Sequence, residues 1–122
     1  MKKVFLFICV FCVISFNLNA ETIRITSGEK NAKITIIAYE SLTCKHCADF
    51  HKDIYPKLKK DYIDTGLAKI EFRHFPLDVA AFNAAKITQC KSDQGLEILE
   101  SLYLNQQAWV KGNTVEDINS NL

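Results

Sequence analysis

The chain lacks several features that would assign it to a common class of protein. Its 122 residues contain no apolar run near the length of about twenty that a membrane-spanning helix needs. Basic and acidic residues nearly balance, 15 against 14, and no basic stripe with interleaved aromatics is present, which argues against nucleic acid as a partner. No internal repeat, low-complexity tract or interdomain linker appears. Cysteine, in contrast, occurs five times.

The first twenty residues predict a secretory signal peptide. Two lysines precede an apolar core from Val4 to Phe16, and a short polar end leads to Ala20. Cleavage after Ala20 would remove Cys9 and Cys12 and leave residues 21–122 as one domain; an uncleaved amphipathic anchor is the alternative. Because disulfides persist in oxidising compartments, export to the periplasm agrees with the remaining cysteine chemistry.

The motif Cys44-Lys45-His46-Cys47 lies where a strand pattern gives way to a helical one. The preceding residues 34–39 are β-branched and apolar, as expected of a strand buried on both faces of a parallel sheet. The following apolar or half-apolar residues have helical spacing, namely 47, 50, 51, 54, 58 and 62. The helix therefore begins at Cys44.

A cysteine at a helix N-terminus lies close to unsatisfied backbone N–H groups and to the positive end of the helix dipole, which favour thiolate. Lys45 and His46 would add to this effect if their side chains pointed at the sulfur. Cys47, one helical step inward on the buried stripe, is then the natural resolving thiol, which attacks the mixed disulfide formed by Cys44. The pair predicts a reversible disulfide.

Three other interpretations of the motif remain: a fixed structural disulfide, half of a zinc site, or two core cysteines. Zinc would require two further ligands, and no second Cys-x-x-Cys exists. We interpret His51 and His74 as partly buried helix and strand side chains. Cys90 lies on a helical stripe of apolar residues, and we expect a buried, inert thiol there.

The rest of the pattern predicts an α/β fold built on a βαβ unit. Residues 23–25 suggest a short edge strand, and residues 69–75 alternate as a second main strand does. The two main strands should be parallel with a right-handed crossover, and the catalytic turn should lie at the carboxyl end of the first. Pro56 should kink the first helix. Further helices are expected after the capping residues Asp78, Asp93 and Thr114.

Several segments together resemble the DsbA-like branch of the thioredoxin superfamily. They are Tyr39-Glu40-Ser41-Leu42-Thr43-Cys44-Lys45-His46-Cys47, Phe50-His51, Tyr55-Pro56-Lys57-Leu58 and Phe72-Arg73-His74-Phe75-Pro76-Leu77. The resemblance implies a thioredoxin-like sheet with an α-helical insertion from about residue 78 onward. By motif match it makes Cys44 the nucleophile and Cys47 the resolving cysteine, with no cofactor and no metal.

The sequence departs from this family at three points. Lys45 stands where the family often has proline, and Ala38 stands where thioredoxin-like proteins commonly carry an acidic residue. Glu40, two residues on, is either a substitute proton acceptor or a solvated strand-end glutamate. The family's cis-proline loop and later strands have no counterpart before residue 122, so an incomplete sheet, lacking its C-terminal part, is expected.

The resemblance implies a protein thiol–disulfide oxidoreductase that promotes disulfide formation in exported proteins. Its expected partners are substrate proteins with cysteines and a membrane or periplasmic redox partner. A reductase or isomerase of the same fold is the closest variant. The alternatives are a non-catalytic truncated remnant or secreted interaction module that retains the motif and, third, a metal-binding module.

Overall fold

The computed structural model describes residues 23–91 and 93–122, and its sheet has three strands in the order β1–β3–β2. The strands are β1 (Ile25–Ser27), β2 (Ile34–Glu40) and β3 (Ala68–His74). β1 is antiparallel to β3, and β2 is parallel to it. The predicted α/β class and the predicted parallel pair are confirmed.

The register of the parallel pair separates an inner from an outer face of the sheet. Ile36 lies opposite Ile70, and Ala38 opposite Phe72, on the face that packs against the helices. The prediction that β2 is buried on both faces is wrong for the described part of the chain. Tyr39, on the other face, is 62% exposed. Among the described residues β2 hydrogen-bonds only to β3, so it forms an edge of the sheet.

The first strand begins two residues later than the sequence predicted. Ile25 and Ser27 point into the core, so the strand runs over these residues rather than over 23–25. Gly28 then turns the chain with a φ of +105°. A Cβ at this glycine would lie 2.8 Å from Cγ2 of Ile63, so the close approach also requires glycine.

One long helical segment, 45–63, connects β2 to β3 and is called α1. It alternates between α-helical and π-helical turns: Lys45–Asp49 and Tyr55–Leu58 are α-helical, and Phe50–Ile54 and Lys59–Ile63 are π-helical. The sequence predicted a kink at Pro56, and the regular α-helix is interrupted there by this change to π-helical turns. The Tyr55 N–H donates to the Phe50 carbonyl five residues back, and Pro56, which has no N–H, then lies in the first turn of the next α-helical part.

Among the described residues after β3 there are four further helices: α2 (Val79–Thr88), α3 (Gly95–Leu104), α4 (Gln106–Trp109) and α5 (Val115–Ser120). They form the predicted helical segment. None of the helices in the described part of the chain is long and apolar enough to span a membrane.

Two of the three predicted helix caps are confirmed. Asp78 accepts a hydrogen bond from the Ala81 N–H at 2.7 Å, and Thr114 forms a capping box with Asp117. The predicted cap at Asp93 is wrong. The helix begins one residue later, and the residue before it, Gln94, makes no side-chain cap bond.

The expectation of a buried Cys90 is also wrong, because its side chain is exposed. Helix α2 buries the face that carries Ala80, Ala84 and Thr88. This four-residue spacing places Ile87 toward solvent, and α2 ends before Cys90 is reached.

The core lies between the inner face of the sheet and helices α1 and α3. Its most deeply buried large side chains are Leu42, Ile63, Ile70 and Leu99. The burial of Leu42, two residues before Cys44, anchors the turn that carries the cysteines.

Candidate functional site

Cys44 is the N-cap residue of α1 and has extended backbone angles, with φ −74° and ψ 118°. Its sulfur accepts a hydrogen bond from the Cys47 N–H at 3.4 Å. A hydrogen bond shared with the Cys47 thiol lowers the pKa of Cys44, and the backbone N–H groups of Cys47 and His46 lower it further. The Cys47 thiol thus contributes most to the lowered pKa of Cys44, and the N–H groups of the helix N-terminus act in the same direction, which is the direction that the sequence predicted.

Cys47 has the opposite environment. It is half-buried and packs against the hydrophobic core. Burial raises the pKa of Cys47 to about 11, and the hydrogen bond with the Cys44 sulfur acts in the same direction. The site therefore makes the first cysteine easier to ionise than a free thiol and the second harder to ionise.

The side chains between the two cysteines do not assist the thiolate. Lys45 and His46 are 73% and 93% exposed, and both turn toward Asp49. The Lys45 Nζ lies 3.0 Å from an Asp49 carboxylate oxygen. The expectation that these cations supplement the dipole through their side chains is wrong; only the backbone N–H of His46 contributes.

A buried acid–imidazole pair lies on the inner face, at the end of β2. The His51 Nε2 lies 2.9 Å from Oε2 of Glu40, and the two side chains are 1% and 7% exposed. The ring of Tyr103 stacks on the imidazole at 4.1 Å between centroids. Of the two interpretations of Glu40, the solvated strand-end residue is wrong.

Glu40 acts electrostatically on both sulfurs. Its carboxylate raises the pKa of Cys47 and, more weakly than the hydrogen bonds lower it, that of Cys44. His51 keeps a second ring nitrogen, Nδ1, that is buried and finds no hydrogen-bond partner among the described residues. The Glu40 carboxylate therefore lies close enough to both cysteines to act on them through its charge.

Three side chains, which make four hydrogen bonds, hold the turn before the motif. Ser41 Oγ accepts from the Leu77 N–H at 3.3 Å, and Thr43 donates to Asp78 Oδ2 at 2.5 Å. From α4, Gln106 Nε2 donates to the carbonyls of Leu42 and Cys44, at 2.8 Å and 3.0 Å.

Sequence reasoning missed Gln106. It stands in a polar run beside Gln107, and nothing in the residue pattern separates the two glutamines. The contact joins positions more than sixty residues apart, so only the packing of α4 against the turn reveals it.

The two histidines outside the Cys-x-x-Cys motif each contact another side chain of the fold. His51 is buried in the pair with Glu40, and His74 Nε2 lies 2.7 Å from Thr88 Oγ1. Both agree with the predicted helix and strand side chains. The described residues contain no group of three or more histidine, cysteine or acidic side chains that could hold a metal ion.

Comparison with known proteins identifies the family of this chain. A family model described as thioredoxin matches residues 20–121. The chain belongs to the thioredoxin family. Within it, the chain is DsbA-like, as the relatives and structural neighbours show.

Two curated relatives carry names that concern disulfide chemistry. A protein of Rickettsia conorii, named as a protein-disulfide oxidoreductase, is 31% identical over 93 residues. The disulfide bond formation protein D of Bacillus subtilis is 27% identical over 100 residues. These matches cover 75% of this chain but 34% and 45% of the relatives.

Among solved structures, the chain is similar to alpha-DsbA1 of Wolbachia pipientis, with a TM-score of 0.72 and 32% identity. That match covers 88% of this chain and 53% of the Wolbachia protein. The chain thus spans about a third to a half of the length of its relatives, and the thioredoxin-like architecture with a helical insertion is confirmed.

Proposed function

We propose that this chain is a thiol–disulfide oxidoreductase in which Cys44 is the nucleophile and Cys47 the resolving cysteine. The observation that carries the proposal is the contrast between the two sulfurs. Cys44 Sγ lies at the N-terminus of α1 and accepts the Cys47 N–H, whereas Cys47 is held protonated by burial. A reactive thiolate beside a protonated second thiol is the arrangement that thiol–disulfide exchange requires.

In the oxidising direction the cycle begins with a Cys44–Cys47 disulfide. A substrate thiolate attacks Cys44 Sγ, a substrate–Cys44 disulfide forms, and Cys47 leaves as a thiolate. The substrate's second thiolate then attacks the substrate sulfur of that mixed disulfide. Cys44 leaves as a thiolate stabilised by its position at the helix N-terminus, and the substrate keeps the disulfide. The enzyme is left as a dithiol, and a redox partner with a disulfide or an equivalent two-electron acceptor must reoxidise it.

The Glu40–His51 pair supplies the proton that Cys47 needs when it leaves. A thiolate at this half-buried sulfur is unfavourable, because burial and the negative charge of Glu40 both raise the pKa of Cys47. The buried pair can donate one proton to that sulfur and take it back when Cys47 attacks in the reverse direction. This is the substitute role that the sequence suggested for Glu40.

The proposed place of action is the periplasm, and the proposed substrates are exported proteins with cysteines. The support is the signal-like pattern of residues 1–20, which lie outside the described residues, together with the names of the relatives. An oxidising compartment is also where a disulfide donor has substrates.

The direct experiment traps the mixed disulfide. The Cys47→Ala variant, mixed with a reduced unfolded protein and a mild oxidant, should accumulate a covalent adduct at Cys44 that a reductant releases. The Cys44→Ala variant is the matched control and should form no such adduct at position 47. Failure of Cys47→Ala to trap any thiol protein would contradict the proposal.

One observation favours a second candidate, a secreted interaction module that retains the motif. The outer face of β2 exposes Ile37 and Tyr39, and no described residue pairs with the free edge of this strand. If purified chain binds partners equally well after Cys44→Ala and forms no adduct, this candidate replaces the enzyme.

A further inference from the structure

The side chain of Gln106 reaches the turn that carries Cys44. Its Nε2 donates to the Leu42 carbonyl at 2.8 Å and to the Cys44 carbonyl at 3.0 Å. An amide nitrogen has two donor hydrogens, so both are used by the two carbonyls. Gln106 is 7% exposed, and the contact is therefore shielded from water.

The position of this amide is itself fixed. The Val110 N–H donates to the Gln106 carbonyl at 2.8 Å and closes the short helix α4. Trp109 is buried, and its Nε1 donates to the Leu102 carbonyl at 2.9 Å. The indole thus ties α4 to α3, and the Gln106 side chain is presented to the active-site turn by rigid surroundings.

The two carbonyls that Gln106 binds belong to Cys44 itself and to Leu42, two residues before it. The Cys44 carbonyl also accepts the first hydrogen bond of α1, from the Ala48 N–H at 3.2 Å. The partial negative charge of carbonyl oxygens close to a sulfur opposes its ionisation, and each hydrogen bond that such an oxygen accepts reduces this effect. A donor that binds both oxygens reduces this opposition and holds the turn in the geometry that directs Cys44 Sγ at the Cys47 N–H.

We propose that Gln106 is a positioning residue of the redox site, which favours the Cys44 thiolate by holding the carbonyls of Leu42 and Cys44. The biological role of this contact rests on the proposed function. Its test does not, since the Cys44 thiolate can be measured without any substrate protein. It gives the helical insertion a part in the chemistry, because a residue of α4 acts on a cysteine sixty-two positions earlier.

The test compares Gln106→Met with Gln107→Met. Methionine has nearly the size of glutamine and no donor, and Gln107 is the exposed neighbour on the same helix. Both variants carry Cys90→Ser, so that the exposed third thiol does not react. The readout is the rate of Cys44 alkylation by iodoacetamide at pH 6, with the modified residue mapped by mass spectrometry.

We expect Gln106→Met to slow Cys44 alkylation by about threefold to tenfold, since below the pKa each unit of increase lowers the thiolate fraction tenfold. Gln107→Met should leave the rate unchanged. A folded Gln106→Met variant that alkylates at the original rate would overturn the proposal, even if its unfolding midpoint is lower, since that result would leave Gln106 a purely structural role.

A second measurement decides the case if Gln106→Met does not fold. In the original chain labelled with ¹⁵N, the side-chain amide signals of Gln106 should move with pH at the same midpoint as Cys44 ionisation, whereas those of Gln107 should not. If the Gln106 side-chain signals do not shift with pH at this midpoint, the proposal is overturned. The proposed function fails separately, through the absence of a mixed disulfide with Cys47→Ala.

Discussion

The imidazole of His51 and the carboxylate of Glu40 meet at 2.9 Å in the interior, and this contact ties helix α1 to the end of strand β2. Both elements meet at the redox motif, since β2 leads into the turn before Cys44 and α1 begins immediately after it. One buried pair therefore joins the elements that position the cysteines, and its carboxylate acts on both sulfurs through its charge.

Loss of the imidazole should destabilise the fold strongly. His51→Ala leaves the Glu40 carboxylate buried without its partner, and removal of one member of a buried pair costs about 3 kcal/mol. The exposed His46 offers a matched control on the same helix, and His46→Ala should change stability by less than about 0.5 kcal/mol. Urea unfolding followed by circular dichroism measures both. Equal midpoints for the two variants would show that the Glu40–His51 contact contributes little.

Removal of the Glu40 charge should make Cys47 easier to ionise and yet slow its attack on a mixed disulfide. Glu40→Gln should lower the pKa of Cys47, because the carboxylate raises it in the native protein. The same variant should slow the step in which Cys47 attacks a preformed mixed disulfide, because the proton acceptor is gone. Stopped-flow resolution of a glutathione adduct at Cys44 measures this step, with the exposed Glu29→Gln as control. A faster resolving step in Glu40→Gln would refute the proton-acceptor role.

The two cysteines of the motif should differ sharply in reactivity. With a pKa of about 11 for Cys47, only about one thiol in ten thousand is ionised at pH 7. Limiting iodoacetamide at that pH should modify Cys44 and leave Cys47 intact, as read by peptide mapping in a Cys90→Ser background. At pH 11 both cysteines should be modified. Comparable labelling of both at pH 7 would contradict the assigned roles.

His74 should make the protein less stable in mild acid. Burial lowers the pKa of His74 below the ordinary histidine value of about 6.5, so the unfolded chain binds more protons than the native chain as the pH falls below that value. Stability should therefore be unaffected by this group above pH 6.5 and decrease progressively below it. His74→Gln, measured by urea unfolding from pH 7 to pH 5, should show a shallower decrease. An unchanged slope would mean that His74 titrates alike in both states.

Local sequence signals were sufficient for the elements around the motif. The change from β-branched alternation to helical spacing correctly placed the strand, the turn and the helix start at Cys44. Side chains that cap a helix by reaching forward three residues, Asp78 and Thr114, were likewise predictable, since such contacts depend only on nearby residues.

Some of the errors arose where packing between elements, rather than the local pattern, decides the outcome. Whether the outer face of β2 is exposed depends on which other elements cover it. Whether Cys90 is exposed depends on which face of α2 is buried and on where α2 ends. The local pattern fixes neither. The same holds at the site. The pairing of His51 with Glu40 and the contact of Gln106 with the turn are both created by packing between elements.

The backbone N–H groups at the start of α1, together with the Cys47 thiol, lower the pKa of Cys44 below that of a free cysteine, and the most direct test of this claim is the pH profile of Cys44 alkylation. The account predicts a midpoint clearly below that of the same thiol in urea-unfolded chain, and a return toward the unfolded value in Cys47→Ala, which removes the thiol hydrogen bond. Identical midpoints for folded and unfolded chain would contradict the account.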